Sequence, residues 1–168
     1  MNGKIISWAE LKPLGERLRS RQRKIAFANG CFDLLHVGHV RYLQEAKRQG
    51  DILIVGLNSD RAVAALKGPG RPLMNQAARA ELIAALECVD FVVIFDELSA
   101  GNVLRELHPD VHCKGTDYSE STVPEQGLVR SLGGSVRIVG DSKNHSTREI
   151  LAEIQRRFGK RGEFEPRA

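Results

Sequence analysis

The stretch Phe27-Ala28-Asn29-Gly30-Cys31-Phe32-Asp33-Leu34-Leu35-His36-Val37-Gly38-His39 constrains the fold of this chain more than any other. The apolar run Lys24-Ile25-Ala26-Phe27-Ala28 enters a turn of small residues as a strand. An amphipathic segment follows, with Val40, Leu43 and Ala46 on one side and Arg41, Gln44, Glu45, Lys47 and Arg48 on the other, which is the helical period. Gly50 ends it. A strand, a turn and a helix in that order aim free backbone N–H groups and the positive end of a helix dipole at an anion. His36 and His39 are three residues apart and so share a face. Gly38 removes a side chain between them and lets a phosphate chain approach the backbone. Two histidines alone would fit a metal pair or a plain surface equally well; the strand before them and the helix after them favour phosphate.

The rest of the chain alternates in the same way. Ser7 and Glu10 have capping-box spacing, and Trp8, Leu11, Leu14 and Leu18 follow on one helical face, which predicts a helix over 7–20. Strands are predicted at 24–29, 52–57, 90–95, 110–114 and 135–139. Helices are predicted at 38–49, 60–66, 76–87, 99–107, 123–132 and 146–157, with Asn75 as the N-cap of the third of these. Buried apolar strands alternating with helices give an α/β fold: a Rossmann-like, doubly wound, parallel five-stranded sheet with helices on both faces. Right-handed crossovers set the C-terminal ends of the strands along one edge, where ligands bind. We expect one domain over 1–158 and a polar C-terminal tail at 159–168.

Composition narrows the function classes. The 168 residues are 42% hydrophobic, enough for a core, and no apolar run approaches a membrane span. No signal-peptide pattern opens the chain. Three cysteines without a C-x-x-C predict reduced thiols and a cytoplasmic protein, with Cys31 a small packing residue. The formal charge of +4 suits anionic small molecules. Arg17, Arg19, Arg21, Arg23 and Lys24 read as a solvated helix end; no aromatic residue interleaves them, so no nucleic-acid partner is expected.

The 27–39 segment resembles the signature of the cytidylyltransferase-like nucleotidyltransferases, whose H-x-G-H motif grips a nucleoside triphosphate. Within that superfamily the chain is most similar to the bacterial ADP-heptose synthases, the D-glycero-β-D-manno-heptose 1-phosphate adenylyltransferases, over about residues 24–152. Beyond the first block, the resemblance rests on Val55-Gly56-Leu57-Asn58-Ser59-Asp60, Leu66-Lys67-Gly68-Pro69-Gly70-Arg71-Pro72, Val89-Asp90, and Pro109-Asp110-Val111-His112-Cys113-Lys114-Gly115-Thr116-Asp117-Tyr118. The third and last blocks point to the heptose branch.

The resemblance implies a reaction between ATP, with Mg²⁺, and a sugar 1-phosphate, in which catalysis is positioning plus charge stabilisation. The alternative within the superfamily is CTP with an alcohol phosphate such as glycerol 3-phosphate. An alternative of another class is a nucleotide-binding module without catalysis; the intact histidine pair argues against it. His36, His39 and Lys67 are the expected catalytic groups. Asn29, Gly30, Phe32, Gly38, Arg71, Ser146, Thr147 and Arg148 are the expected nucleotide contacts with His39, and Asp33, Lys114 and Asp117 the expected substrate contacts.

Several of these residues carry a second reading. The Gly/Pro-rich segment 67–72 is a loop, able to serve a ligand or simply to turn. Arg79 fits a phosphate contact by the family pattern, or an exposed helix charge. Ser146 and Thr147 cap a helix by residue type alone, and the same helix start cradles phosphate. There the family has a Ser-Thr-Thr or related motif, and His145 stands where its first serine often is. Thr116 replaces the family's usual second glycine. Asp33 and Asp117 are the carboxylates nearest a divalent ion, Asp33 alternatively fixing the turn, and no metal ligand is assigned. A homodimer or higher homo-oligomer is expected, with no membrane partner and a sugar-kinase step supplied by a separate chain.

Overall fold

A computed structural model describes residues 3–141 and 146–159. His145 and all of the expected tail except Gly159 lie outside them. The elements follow the alternation read from the sequence: β1 (Ile5–Ile6), α1 (Trp8–Ser20), β2 (Ile25–Gly30), α2 (Val37–Lys47), β3 (Ile52–Asn58), α3 (Asp60–Lys67), α4 (Gln76–Ala84), β4 (Phe91–Phe95), α5 (Gly101–Leu107), β5 (Val111–Lys114), α6 (Gln126–Ser131), β6 (Ser135–Ile138) and α7 (Thr147–Phe158). Among the described residues the sheet has six strands, not five, in the order β1-β4-β3-β2-β5-β6, and every pairing is parallel.

The extra strand is β1. It exists only as a partner of β4, with Ile5 opposite Val92 and Ile6 opposite Val93. Two residues have no readable period. What forms them is the outer edge of β4, whose N–H groups need acceptors; the N–H of Val92 donates to the carbonyl of Lys4 at 2.8 Å. The helix predicted at 123–132 is also corrected. A single 3-10 turn (Glu120–Thr122) comes first, Val123 is extended with ψ 116°, and α6 starts only at Gln126. Pro124 is the reason, because proline disfavours helical geometry in the residue before it.

Strand alternation divides the core between two faces. Ala26, Ala28, Leu53, Val55 and Leu57 pack under α2 and α4, through Leu43, Ala46, Ala80 and Ile83. Ile25, Phe27, Ile54, Val93 and Phe95 pack under α1, α5 and α6, through Leu11, Leu14, Leu18, Val103, Leu104, Leu107 and Val129. Trp8, expected on the same face of α1 as these leucines, stays 41% exposed. Two conspicuous acids serve the sheet: Asp90 accepts the N–H of Leu53, and Asp110 the N–H of Ile25, each at 2.7 Å.

Strand order locates the crevice. From β2 the chain builds β3 and β4 to one side, then crosses back to lay β5 against β2 on the other. The C-terminal ends of β2 and β5 therefore flank the point where the winding reverses, the position at which open α/β sheets bind ligands. Asn29 and Gly30 end one strand and Lys114 ends the other.

Candidate active site

The turn between β2 and α2 is shaped by Phe32, whose φ of 45° is unusual for a bulky residue. That conformation drives the ring inward. It packs over Gly30, where an added Cβ would sit 3.1 Å from the ring, and meets the edge of His39 with centroids 5.1 Å apart. Tyr42, one helical turn further along α2, stacks behind Phe32 and donates its hydroxyl to the carbonyl of Cys113 on β5. Phe32, expected to contact nucleotide, is thus only 4% exposed and supports His39 from below. Tyr42 was not read from the sequence, because its role depends on β5 lying beside β2.

The two histidines meet as the spacing requires. His36 is the extended N-cap residue of α2 and His39 lies in its first turn, so the rings stack at 3.8 Å with 25° between planes. Gly38 sits between them, at the helix end whose first N–H groups have no carbonyl one turn back. Burial, and secondarily His36, hold the His39 pKa at about 4, below its ordinary 6.5. The imidazole is therefore neutral at pH 7. A stability consequence follows. Between pH 6.5 and 4 the unfolded chain binds the proton that folded His39 refuses, so stability rises with pH through that window. His112, held at about 3, adds in the same direction. We expect the Tm of His39→Gln to fall less than that of wild type between pH 7 and pH 4.5; parallel curves would overturn the assignment.

A latch ties the Gly/Pro loop to this turn. Asp33, 5% exposed, accepts from the Arg71 guanidinium at 2.6 Å with one oxygen and from the Leu73 N–H at 2.6 Å with the other. Asp33 was expected to face the substrate; the structure instead commits both of its oxygens to the loop, in line with the turn-fixing reading. That contact holds Arg71 beside the β2–α2 turn. Lys67, the exposed last residue of α3, stands close enough for its charge to act on Cys31. Burial nonetheless raises the Cys31 thiol pKa, as a packing residue requires.

Arg79 is a clear correction. The family pattern suggested a phosphate contact and the alternative was an exposed charge, yet the side chain is fully buried. It donates to the carbonyls of Cys31, Asn58 and Met74 and to the carboxylate of Asp60, at 2.5 to 3.0 Å. It is the strut from which the β2–α2 turn, the end of β3 and the loop before α4 hang. Burial this complete cannot be read from a lone arginine on an amphipathic helix.

The C-terminal half contributes two groups. Ser146 caps α7, its Oγ accepting the Glu149 N–H, and Thr147 donates to the carbonyl of Leu34 at 3.4 Å. That bond brings the start of α7 against the histidine loop, with the exposed Arg148 at the second helical position. Lys114, 7% exposed at the end of β5, lies 3.6 Å from Glu125, 5.2 Å from the centre of the Tyr118 ring and 3.2 Å from Asn29 Oδ1. Asp117 follows on the loop and acts electrostatically on Lys114. Thr116 has no left-handed φ; its hydroxyl donates to the carbonyl of Asp141. Glu125, which belongs to no legible pattern, and His112, which stands inside the 109–118 block but was given no role, were missed. Taken together, the fold brings to one edge a helix N-terminus, two stacked imidazoles, a basic loop, a second helix start and a buried lysine, groups whose chemistry suits an anion.

The sequence model of the cytidylyltransferase-like family matches residues 27–158. The Bifunctional protein HldE of Geobacter metallireducens is 47% identical over 94% of this chain, and that of Syntrophotalea carbinolica 45% identical over 94%. The chain spans about a third of the length of these relatives, 32% in each case. A solved structure described as the lipopolysaccharide core biosynthesis protein from Thermoplasma volcanium GSS1 superimposes with a TM-score of 0.60 at 32% identity, covering 73% of this chain and 99% of that one.

Proposed function

We propose, from the premise that this chain belongs to the cytidylyltransferase-like family, that it transfers AMP from ATP to a heptose 1-phosphate, giving ADP-heptose and pyrophosphate. A phosphate oxygen of the sugar 1-phosphate attacks the α-phosphorus of ATP in line. One P–O bond forms and the bond from the α-phosphorus to pyrophosphate breaks. No protein nucleophile is needed, so rate comes from holding the two phosphates in line and meeting charge as it develops. The observation that carries this reading is the stacked His36–His39 pair at the start of α2, tied by the Thr147–Leu34 bond to the start of α7. Lys67, Arg71 and Arg148 supply the remaining positive charge, while Lys114 and Asp117 take the sugar phosphate side.

The heptose preference is supported by the blocks at 66–72 and 114–118 and by the kinship with the HldE proteins and the lipopolysaccharide core biosynthesis protein. Among the described residues no three His, Cys, Asp or Glu side chains are grouped to hold a metal, and Asp33 is engaged by the loop. In this reading Mg²⁺ arrives with ATP, bound by phosphate oxygens and water. Among the described residues no helix is long and apolar enough to cross a membrane.

A pyrophosphate-release screen of ATP, CTP, GTP and UTP against sugar and alcohol phosphates tests the reading. ATP with heptose 1-phosphate should be the fastest pair; release only with CTP and glycerol 3-phosphate would replace it. The role of α7 has its own test. A cation near a helix N-terminus opposes the dipole unless an anion is present. Arg148→Ala should therefore weaken ATP binding in titration calorimetry and leave the apo Tm unchanged or slightly higher. Ser146→Ala, which removes a cap, should cost about 1 kcal/mol of stability. Unchanged ATP affinity in Arg148→Ala would remove that residue from the site.

A further inference from the structure

Behind the crevice, on the α6 face of the sheet, Lys114 and Asn29 are held by two buried groups, His112 and Glu125, to which the proposed chemistry gives no role. His112 is fully buried in the middle of β5, its ring tilted against Phe27 with centroids 5.4 Å apart. Its Nε2 lies 3.0 Å from Asn29 Oδ1, and Lys114 Nζ lies 3.2 Å from the same oxygen. Glu125, itself 8% exposed, stands beside Lys114 and accepts the N–H of Ala100 with its other oxygen.

These contacts fix an orientation. A lysine ammonium has only donors, so the Asn29 atom facing it is the oxygen. His112 must then donate to that oxygen through Nε2–H, and its buried Nδ1, which has no hydrogen-bond partner, is the bare acceptor. Burial, and secondarily the neighbouring ammonium, hold the ring neutral, as a single tautomer requires. With Oδ1 held by two donors, the amide cannot flip without turning its NH₂ onto an N–H and an ammonium. Asn29 Nδ2 makes no hydrogen bond to another described residue, and the half-buried Asn29 sits at the open end of β2, beside the winding reversal.

We infer that His112 is a positioning residue: it locks the Asn29 amide so that its NH₂ is presented as a fixed donor to a phosphoryl oxygen in the crevice. The inference rests on the proposed nucleotidyl transfer. Without the imidazole donor, Lys114 alone holds the amide, and Lys114 is drawn toward Glu125 and the Tyr118 ring as well. A donor fixed before the reaction needs no reorganisation as charge develops, which is where its effect on rate arises.

The test is a double-mutant cycle with a conservative rescue. His112→Phe keeps a planar ring against Phe27 and removes the donor; we expect kcat to fall about 10- to 100-fold, with KM for ATP changed no more than about threefold and Tm unchanged or higher. His112→Gln, whose amide reaches the same point, should restore most of kcat. In an Asn29→Ala background, His112→Phe should cost nothing further, because its effect passes through the missing amide. Additive losses, or no rescue by glutamine, would overturn the inference. Imidazole ¹⁵N shifts of the wild-type chain decide the orientation independently of turnover: protonated Nε2 is expected, and a protonated Nδ1 would overturn it. A wild type that turns over another nucleotide and phosphate pair would refute the heptose reading alone, and the cycle would be run on that pair. If no pair turns over, the reading of catalysis fails, and the ¹⁵N shifts with an ATP-affinity cycle by calorimetry still decide the link between His112 and Asn29.

Discussion

His36→Ala and His39→Ala should each lower kcat by about 10²- to 10³-fold while changing ATP affinity only a few-fold. The two rings stack at the start of α2, and His39 is held uncharged by burial. A neutral imidazole contributes little to gripping a ground-state triphosphate. In the proposed transfer the α-phosphorus takes on a fifth oxygen as pyrophosphate departs, and the expected loss of rate follows if charge then grows beside the rings. That difference between ground and transition state is what kcat reads. Because the rings touch, the double variant should lose little more than the worse single one. Single-turnover kinetics beside ATP titration calorimetry measures both quantities. Near-normal turnover in both single variants would remove the site; a large loss of affinity at unchanged kcat would make the pair a binding device only.

Arg79→Met should lower stability by about 3–5 kcal/mol, because it removes the charged donor from a buried cluster. Methionine keeps the length and the helix propensity, so the loss isolates the guanidinium. The carbonyls of Cys31, Asn58 and Met74 would lose their charged donor inside the protein. In a chain of this size that corresponds to a fall in Tm of about 10 °C. Thermal and urea unfolding measure it. A phosphate contact would behave in the opposite manner, with weaker ATP binding and an unchanged apo Tm, so one variant separates the two roles. Activity should fall as well, since the turn that holds the histidines hangs from the same strut.

Much of this architecture is legible in the amino-acid sequence. The strand–turn–helix at 24–49 folds with its boundaries nearly as read, because apolar period and turn chemistry are local properties. The pairing of His36 with His39 follows from helical spacing, and the capping of α4 by Asn75 and of α7 by Ser146 from side-chain type. Three of the readings that the structure changed share a cause. The strand Ile5–Ile6 exists through Val92 and Val93, far along the chain. Asp33 is aimed by Arg71 and Leu73, and Arg79 is buried by turns contributed from three separate segments.

By itself, then, the sequence determined the kinds of element, the two faces of each strand and the chemistry available at the H-x-G-H turn, since each depends on neighbours within one or two turns of chain. Tertiary structure alone decided which polar groups hold the scaffold and which are left at the crevice. An aspartate, an arginine or a histidine carries the same donors and acceptors in either role. What distinguishes the roles is the partner that the crossovers deliver: Arg71 to Asp33, the carbonyls of the three loops to Arg79, and Asn29 to His112. Once such a group is buried, its hydrogen bonds must be made within the protein, and that requirement fixes its function.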